Sequence, residues 1–238
     1  MFKKFFLFLA VFGLLTASVI AKATLVTSAP TDGTVIDFSQ FAFGCPFGAP
    51  GCRASDTPNV GGLVGETVLF SGTAEFIPPN DLFLGSSLTN ERFGLGENGA
   101  WDEGRNGFAG NGLSDASMEF MFLNGPVSFV GGFLNYAVVF GSFDTLPPTL
   151  EVLDAGLNVL ESYDIFALAP ISTSILGTND GAFRGISRAT NDIFALRWSG
   201  SFSVLDDLTF VRKIPEPTTL ALLVIGLAGL ASAVRRKK

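Results

Sequence analysis

From Thr218 to Val234 the chain runs seventeen residues without a charge, then closes on Arg235, Arg236, Lys237 and Lys238. As a helix rising 1.5 Å per residue, that run spans roughly 25 Å, the short end of what a bilayer core requires. Gly226 and Gly229 are compatible with this, because membrane helices tolerate glycine. The four cations that follow should stay on the cytoplasmic side. A buried core helix rarely ends on such a cluster, so the run is read as membrane-spanning and is excluded from any globular core.

The other end imposes a second exclusion. Lys3 and Lys4 precede an apolar stretch from Phe5 to about Ile20, and Ala21-Lys22-Ala23 supplies the small residues of an A-x-A cleavage site. This is the pattern of a secretory signal peptide, with cleavage expected after Ala23 and signal peptidase as the partner. The alternative is an uncleaved anchor helix. Between the two ends lies a body of about 190 residues, enough for one domain with a sizeable core. The signal is expected to send this body across the membrane, where the terminal helix stops transfer.

Pro215-Glu216-Pro217 then falls just above the bilayer on the outer side. Each proline fixes φ and lacks a donor, and the residue before a proline avoids helix, so the tripeptide should be extended and solvated. Tripeptide, apolar helix, basic terminus and N-terminal signal, in that order, resemble the PEP-CTERM sorting signal of Gram-negative bacteria over Ile214–Lys238. The resemblance implies recognition near Pro215, Glu216 and Pro217 by an exosortase, a membrane transpeptidase-like enzyme. It also implies a role in exopolysaccharide, biofilm or floc formation, at the cell surface or outside the cell. A GPI signal would also place an apolar tail last, but the Pro-Glu-Pro stretch and the basic end speak against it.

Charge narrows the function. Seven of the 15 Lys and Arg lie in the two ends, but only Glu216 of the 22 Asp and Glu does, so the body carries 8 basic and 21 acidic residues, a net charge of −13. Nucleic-acid binding needs a basic footprint and is excluded as a partner. The chain has no histidine, which removes Ser-His-Asp and Cys-His catalysis and His-based metal sites. The only cysteines are Cys45 and Cys52, in CPFGAPGC. In an exported protein they read first as a disulfide closing a small loop, with a two-thiolate metal site as the alternative.

The body reads as all-β. Phenylalanine and glycine are abundant, and short apolar or alternating runs are separated by turn residues. Strands are expected at Thr34–Phe38, Glu66–Phe76, Ser117–Phe122, Val127–Leu134, Ala137–Phe140, Thr149–Asp154, Val159–Tyr163, Ala182–Ser187, Ile193–Trp198 and Leu205–Val211. A tight hairpin through Asp154-Ala155-Gly156 is expected between two of them. Their number and spacing predict a two-sheet sandwich. PVSFVGGFLNYAVVFG, PTLEVLDAGLNVLESYDI, AFRGIS and LDDLTF in succession resemble the jelly-roll domains of PEP-CTERM proteins, related in style to carbohydrate-binding modules. That resemblance implies that LDDLTF closes the fold and pairs near the first strand, for which TVIDFSQF is the candidate.

Three groups of residues carry candidate chemistry. Asp206 and Asp207 are neighbours on a strand and should point to opposite faces, with Asp37 brought near if the first and last strands pair. Carboxylates suit calcium, so Asp37, Asp206 and Asp207 are a candidate site for a structural calcium ion; ordinary turn and edge carboxylates are the plainer reading. The stretch from Glu91 to Asp115 is rich in Gly and Asn and carries Glu97, Asp102, Glu103 and Asp115. It lacks both EF-hand spacing and a phosphate-loop context, and is read as a long irregular loop. Within it Trp101, beside Asp102, is a candidate glycan contact; the plainer reading is a cap on the core. Trp198 follows strand alternation and is placed in the core. Glycosidases need two acids facing across a bond, and adjacency of Asp102 and Glu103 says nothing of that geometry, so no enzyme is expected.

Overall fold

A computed structural model describes residues 23–41, 45–46, 57–73, 82–87, 108–111, 117–136, 147–168, 182–200 and 203–213. In chain order the strands are β1 (Thr24–Val26), β2 (Thr34–Ile36), β3 (Cys45–Pro46), β4 (Val68–Thr73), β5 (Leu82–Ser87), β6 (Phe108–Asn111) and β7 (Ser117–Phe122). They continue with β8 (Phe129–Asn135), β9 (Thr149–Leu153), β10 (Val159–Asp164), β11 (Ala182–Ser187), β12 (Ala195–Ser199) and β13 (Val204–Val211). One helical turn, α1 (Ile165–Leu168), follows β10, and short 3-10 turns occupy Ser39–Phe41 and Gly62–Val64.

The strands form two sheets. The larger runs β1-β11-β8-β13-β6-β5-β3, with β2 also on β13; the smaller runs β10-β9-β12-β7-β4. The fold is an all-β two-sheet sandwich with little helix. Sequence alternation explains the layers. In β7, Ser-Met-Glu-Phe-Met-Phe, Met118, Phe120 and Phe122 are fully buried while Glu119 and Met121 lie on the opposite face. Aromatic pairs fasten the sheets: Phe122 to Phe210 at 5.1 Å and Tyr136 to Trp198 at 6.3 Å between ring centroids. Such pairs each contribute about 0.5–1.5 kcal/mol beyond area burial. Trp198 is fully buried, as its alternation predicts.

The expected closing strand is central. β13 pairs antiparallel with β8 along one edge, and its other edge is shared end to end, β6 meeting Val204 and Leu205 and β2 meeting Leu208 to Phe210. The predicted pairing of TVIDFSQF with LDDLTF is therefore present. The β8–β11 pair brings two glycines into register, Gly131 opposite Gly185. A Cβ on Gly131 would sit 2.5 Å from the carbonyl oxygen of Arg184, so only glycine allows this approach.

Two expectations change and a third holds with an added detail. Phe108–Asn111 is a strand, so the stretch from Glu91 to Asp115 is not loop throughout; backbone pairing with β5 and β13 overrides its glycine content. The expected hairpin through Asp154-Ala155-Gly156 is present: β9 and β10 pair antiparallel, with Leu153 opposite Val159 and residues 154–158 as the connection. The Leu157 N–H donates to Asp154 O at 2.9 Å, and Leu157 takes the left-handed conformation, φ 61°. Asp154 holds the turn, its Oδ1 accepting from the N–H groups of Gly156 and Asn158 at 2.8 and 2.9 Å. Finally, Asp206 and Asp207 do not follow regular alternation, for the reason given below.

Candidate functional site

The register of β13 against β8 slips between Asp206 and Thr209, the signature of a β-bulge. Asp207 takes φ 50°, a left-handed conformation that Asp tolerates better than most residues. Asp206 is 3 % exposed, and its Oδ1 accepts the Asp207 N–H at 2.7 Å. The Thr209 hydroxyl donates to the Asp207 carbonyl at 2.8 Å. These side chains therefore shape the bulge. The last register pair on β2 is Ile36 with Leu208, and Asp37 and Asp207 are the next residue on each strand. The topology thus gathers the three predicted aspartates at one junction, where Asp37 is exposed and Asp206 buried. Among the described residues no three Cys, Asp or Glu side chains group as a metal site would require.

The outer face of the smaller sheet carries a transverse polar row. Arg197 lies in register with Glu119 on one side and Glu151 on the other. Its Nη2 donates to Glu119 Oε2 at 3.0 Å and its Nη1 to Glu151 Oε2 at 3.4 Å. Ser162 Oγ extends the row to Glu151 Oε1 at 3.1 Å. One guanidinium bridges the two carboxylates, an arrangement that ties three neighbouring strands together.

The third locus is where the chain leaves the sandwich. Thr24 pairs with Ser187, Ser187 with Phe129, and Phe129 with Val211, so the first and last strands begin and end on one transverse row. Both ends of the body emerge at the same pole. The C-terminal exit is clasped. Arg212 Nη1 and Nη2 donate to the two carboxylate oxygens of Glu66 at 2.8 and 3.3 Å, and Nη2 also to Gly125 O at 3.1 Å. The Lys213 N–H donates to Asn191 Oδ1 at 2.9 Å while Asn191 Nδ2 donates back to Lys213 O at 2.7 Å. Lys213 Nζ caps Arg188 O at 2.8 Å. Beside this exit Arg188 pairs with both Asp192 and Glu161, at 2.7 and 2.8 Å, and the Asp192 hydrogen bond above all, with Glu161 adding to it, holds its guanidinium pKa above the ordinary arginine value. None of the clasp residues was singled out by the sequence, because their partners are remote in the chain.

Trp101, Asp102, Pro215, Glu216 and Pro217 lie outside the described residues, as does Cys52; Cys45 is in β3, and no disulfide occurs among the described residues. The run 218–234 also lies outside them, and among the described residues no helix is long and apolar enough to cross a membrane.

Starting at the last residue of the clasp, residues 213–237 match the family model described as the PEP-CTERM protein-sorting motif. The chain therefore carries a sorting motif of that class behind a two-sheet β-sandwich. Such a motif implies export, an exosortase as processing partner and a membrane-anchored sorting signal ahead of the cell surface. No curated protein matches the chain, and no solved structure does.

Proposed function

We propose that this protein is an exported structural sandwich of the bacterial surface or extracellular matrix, associated with exopolysaccharide. In this reading residues 1–23 are a signal peptide removed after Ala23, 24–213 are the exported domain and 214–238 are the sorting segment. The helix 218–234 anchors the precursor in the inner membrane of a Gram-negative cell, with Arg235 to Lys238 inside. An exosortase acts near Pro215-Glu216-Pro217, after which the body is displayed or released. The carrying observation is the sorting motif, which begins at Lys213, the last residue of the clasp. Emergence of both chain ends at one pole supports the topology, since signal and anchor would enter the same bilayer from the same side.

A structural role is favoured over a sugar-stacking one by the smaller sheet. In β4, β7, β12 and β9 the central row of its outer face is Ser71, Glu119, Arg197 and Glu151, crosslinked by ion pairs and without an aromatic ring. Glycan contact through Trp101 and Asp102, and calcium at Asp37, Asp206 and Asp207, are the secondary features to test, and no catalytic role is proposed.

The test compares cells with and without the exosortase. Without it, a membrane-held precursor retaining 218–238 should accumulate and the mature form should vanish from the surface and the medium. Identical processing in both strains would overturn the reading.

A further inference from the structure

The exit pole is also where exposed apolar side chains concentrate. Among the described residues eight large hydrophobics are exposed, and five of them belong to this end: Leu63 at 72 %, Val64, Leu123 at 46 %, Leu157 and Val159. Backbone contacts place them. Leu63 and Val64 sit in the turn closed by the Glu66 N–H on Gly61 O at 3.0 Å, and the Leu123 N–H donates to Thr67 O at 2.9 Å, so the three share the corner held by Arg212. The Phe122 N–H donates to Phe194 O and the Phe194 N–H to Leu153 O, at 2.9 and 2.7 Å, which carries the same edge across to the turn bearing Leu157 and Val159.

Most carboxylates at this pole are engaged: Glu66 by Arg212, Glu161 and Asp192 by Arg188, and Asp154 by the donors of its own turn, while Asp32, in the turn ahead of β2, is exposed. In a body carrying a net charge of −13 this end thus presents apolar side chains among acids that, Asp32 apart, are paired or capped. The tether is short. Five Cα steps separate Lys213 from Thr218, no more than about 18 Å fully extended. The clasp prevents the chain from lengthening that tether by peeling β13 away.

We propose that this pole is a membrane-contact face, with Leu63, Val64 and Leu123 seated in the interface of the bilayer that residues 218–234 cross. The inference rests on the anchored-precursor reading above. Seating the apolar corner holds the sandwich against the bilayer and presents residues 214–217 at the height where a membrane-embedded enzyme works. Apolar surface buried about 5–10 Å into the headgroup region is a common mode of interfacial attachment.

The test uses the full chain reconstituted in phospholipid vesicles with brominated acyl chains, which quench tryptophan on contact. Leu63→Trp and Leu123→Trp report on the exit pole. Phe166→Trp reports on the opposite end, where Asp164 pairs with Thr149 and Phe166 is exposed. The signal of the unsubstituted chain is subtracted. The proposal expects both pole reporters to be quenched at least about twofold more than Phe166→Trp. Carbonate extraction of the same vesicles reads the anchor separately. A chain that resists extraction but shows equal quenching at all three positions overturns the membrane-contact face and leaves the anchor standing. A chain released by carbonate overturns the anchor and this inference with it. Equal quenching together with a dimer that Leu63→Asp dissolves assigns the patch to a second copy instead, and also overturns the proposal.

Discussion

Arg212 grips Glu66 through both carboxylate oxygens, 146 residues apart in sequence, on the last turn of chain before the sorting motif begins. The contact converts the end of a strand into a fixed exit. Both side chains are less than one-third exposed, so the pair is better shielded than an ordinary surface bridge. Replacing Glu66 with Ala strands a half-buried guanidinium and should cost about 1–2 kcal/mol in urea unfolding of the mature protein. Lys213→Ala, whose ammonium is more exposed, should cost less. An unchanged midpoint for Glu66→Ala would show that the exit is held by strand pairing alone.

The bulge in β13 gives a paired prediction. Asp207 sits at φ 50°, so Asp207→Gly should change stability by less than about 1 kcal/mol, while Asp207→Val should destabilise by about 1–2 kcal/mol. Asp206→Ala removes the acceptor from the Asp207 N–H and should cost about 1–3 kcal/mol. Thermal unfolding of the three variants checks this. Equal effects of Gly and Val at position 207 would contradict the left-handed conformation.

Gly131 tests the closeness of β8 and β11. A Cβ there meets backbone on the facing strand, which cannot move aside as a side chain could. Gly131→Ala should therefore lower stability by roughly 2–3 kcal/mol or more. Gly65→Ala, with open space around it but φ 73°, should cost only about 1 kcal/mol. The ranking of the two in chemical unfolding is the readout.

Asp154 gives the pH dependence. The backbone N–H of Asn158, then its side-chain amide, hold the Asp154 carboxyl below its ordinary value of 3.8. A carboxyl lowered in the folded state stabilises it fully above the unfolded value, and that contribution disappears as pH falls through the folded value. The turn should thus loosen only in acid, below 3.8. Carboxyl titration by NMR should place Asp154 below that value, and Asn158→Ala should move it upward. A midpoint unmoved by the substitution would contradict the capping geometry.

The sequence made most strands legible because their two faces differ. Ser117–Phe122 and Thr149–Leu153 alternate over most of their length, so period-two patterning locates them almost to the residue. It failed where another signal dominated. Thr24–Val26 adjoins the apolar signal stretch and was not separable from it as a strand. Phe108–Asn111 is a strand inside a Gly- and Asn-rich segment, held by neighbours that a local reading does not contain. The αL position of the β9–β10 turn fell to Leu157, though Gly156 next to it is the residue chemistry prefers. Of the candidate sites, the sorting motif was readable because it is contiguous. The meeting of Asp37 with the β13 bulge was half-readable, through strand order. The clasp of Arg212, Glu66, Lys213 and Asn191 was not readable at all, since it exists only once three remote segments converge.

The most direct measurement of the central claim, an exported sandwich fixed at its exit and cut just beyond it, is the intact mass of the protein from membrane and medium, without reduction. The account predicts a mature chain that begins at Thr24 and ends between Ile214 and Thr218, with a further deficit of two hydrogens if Cys45 and Cys52 are joined. A chain that retains residues 218–238 in every fraction would contradict it.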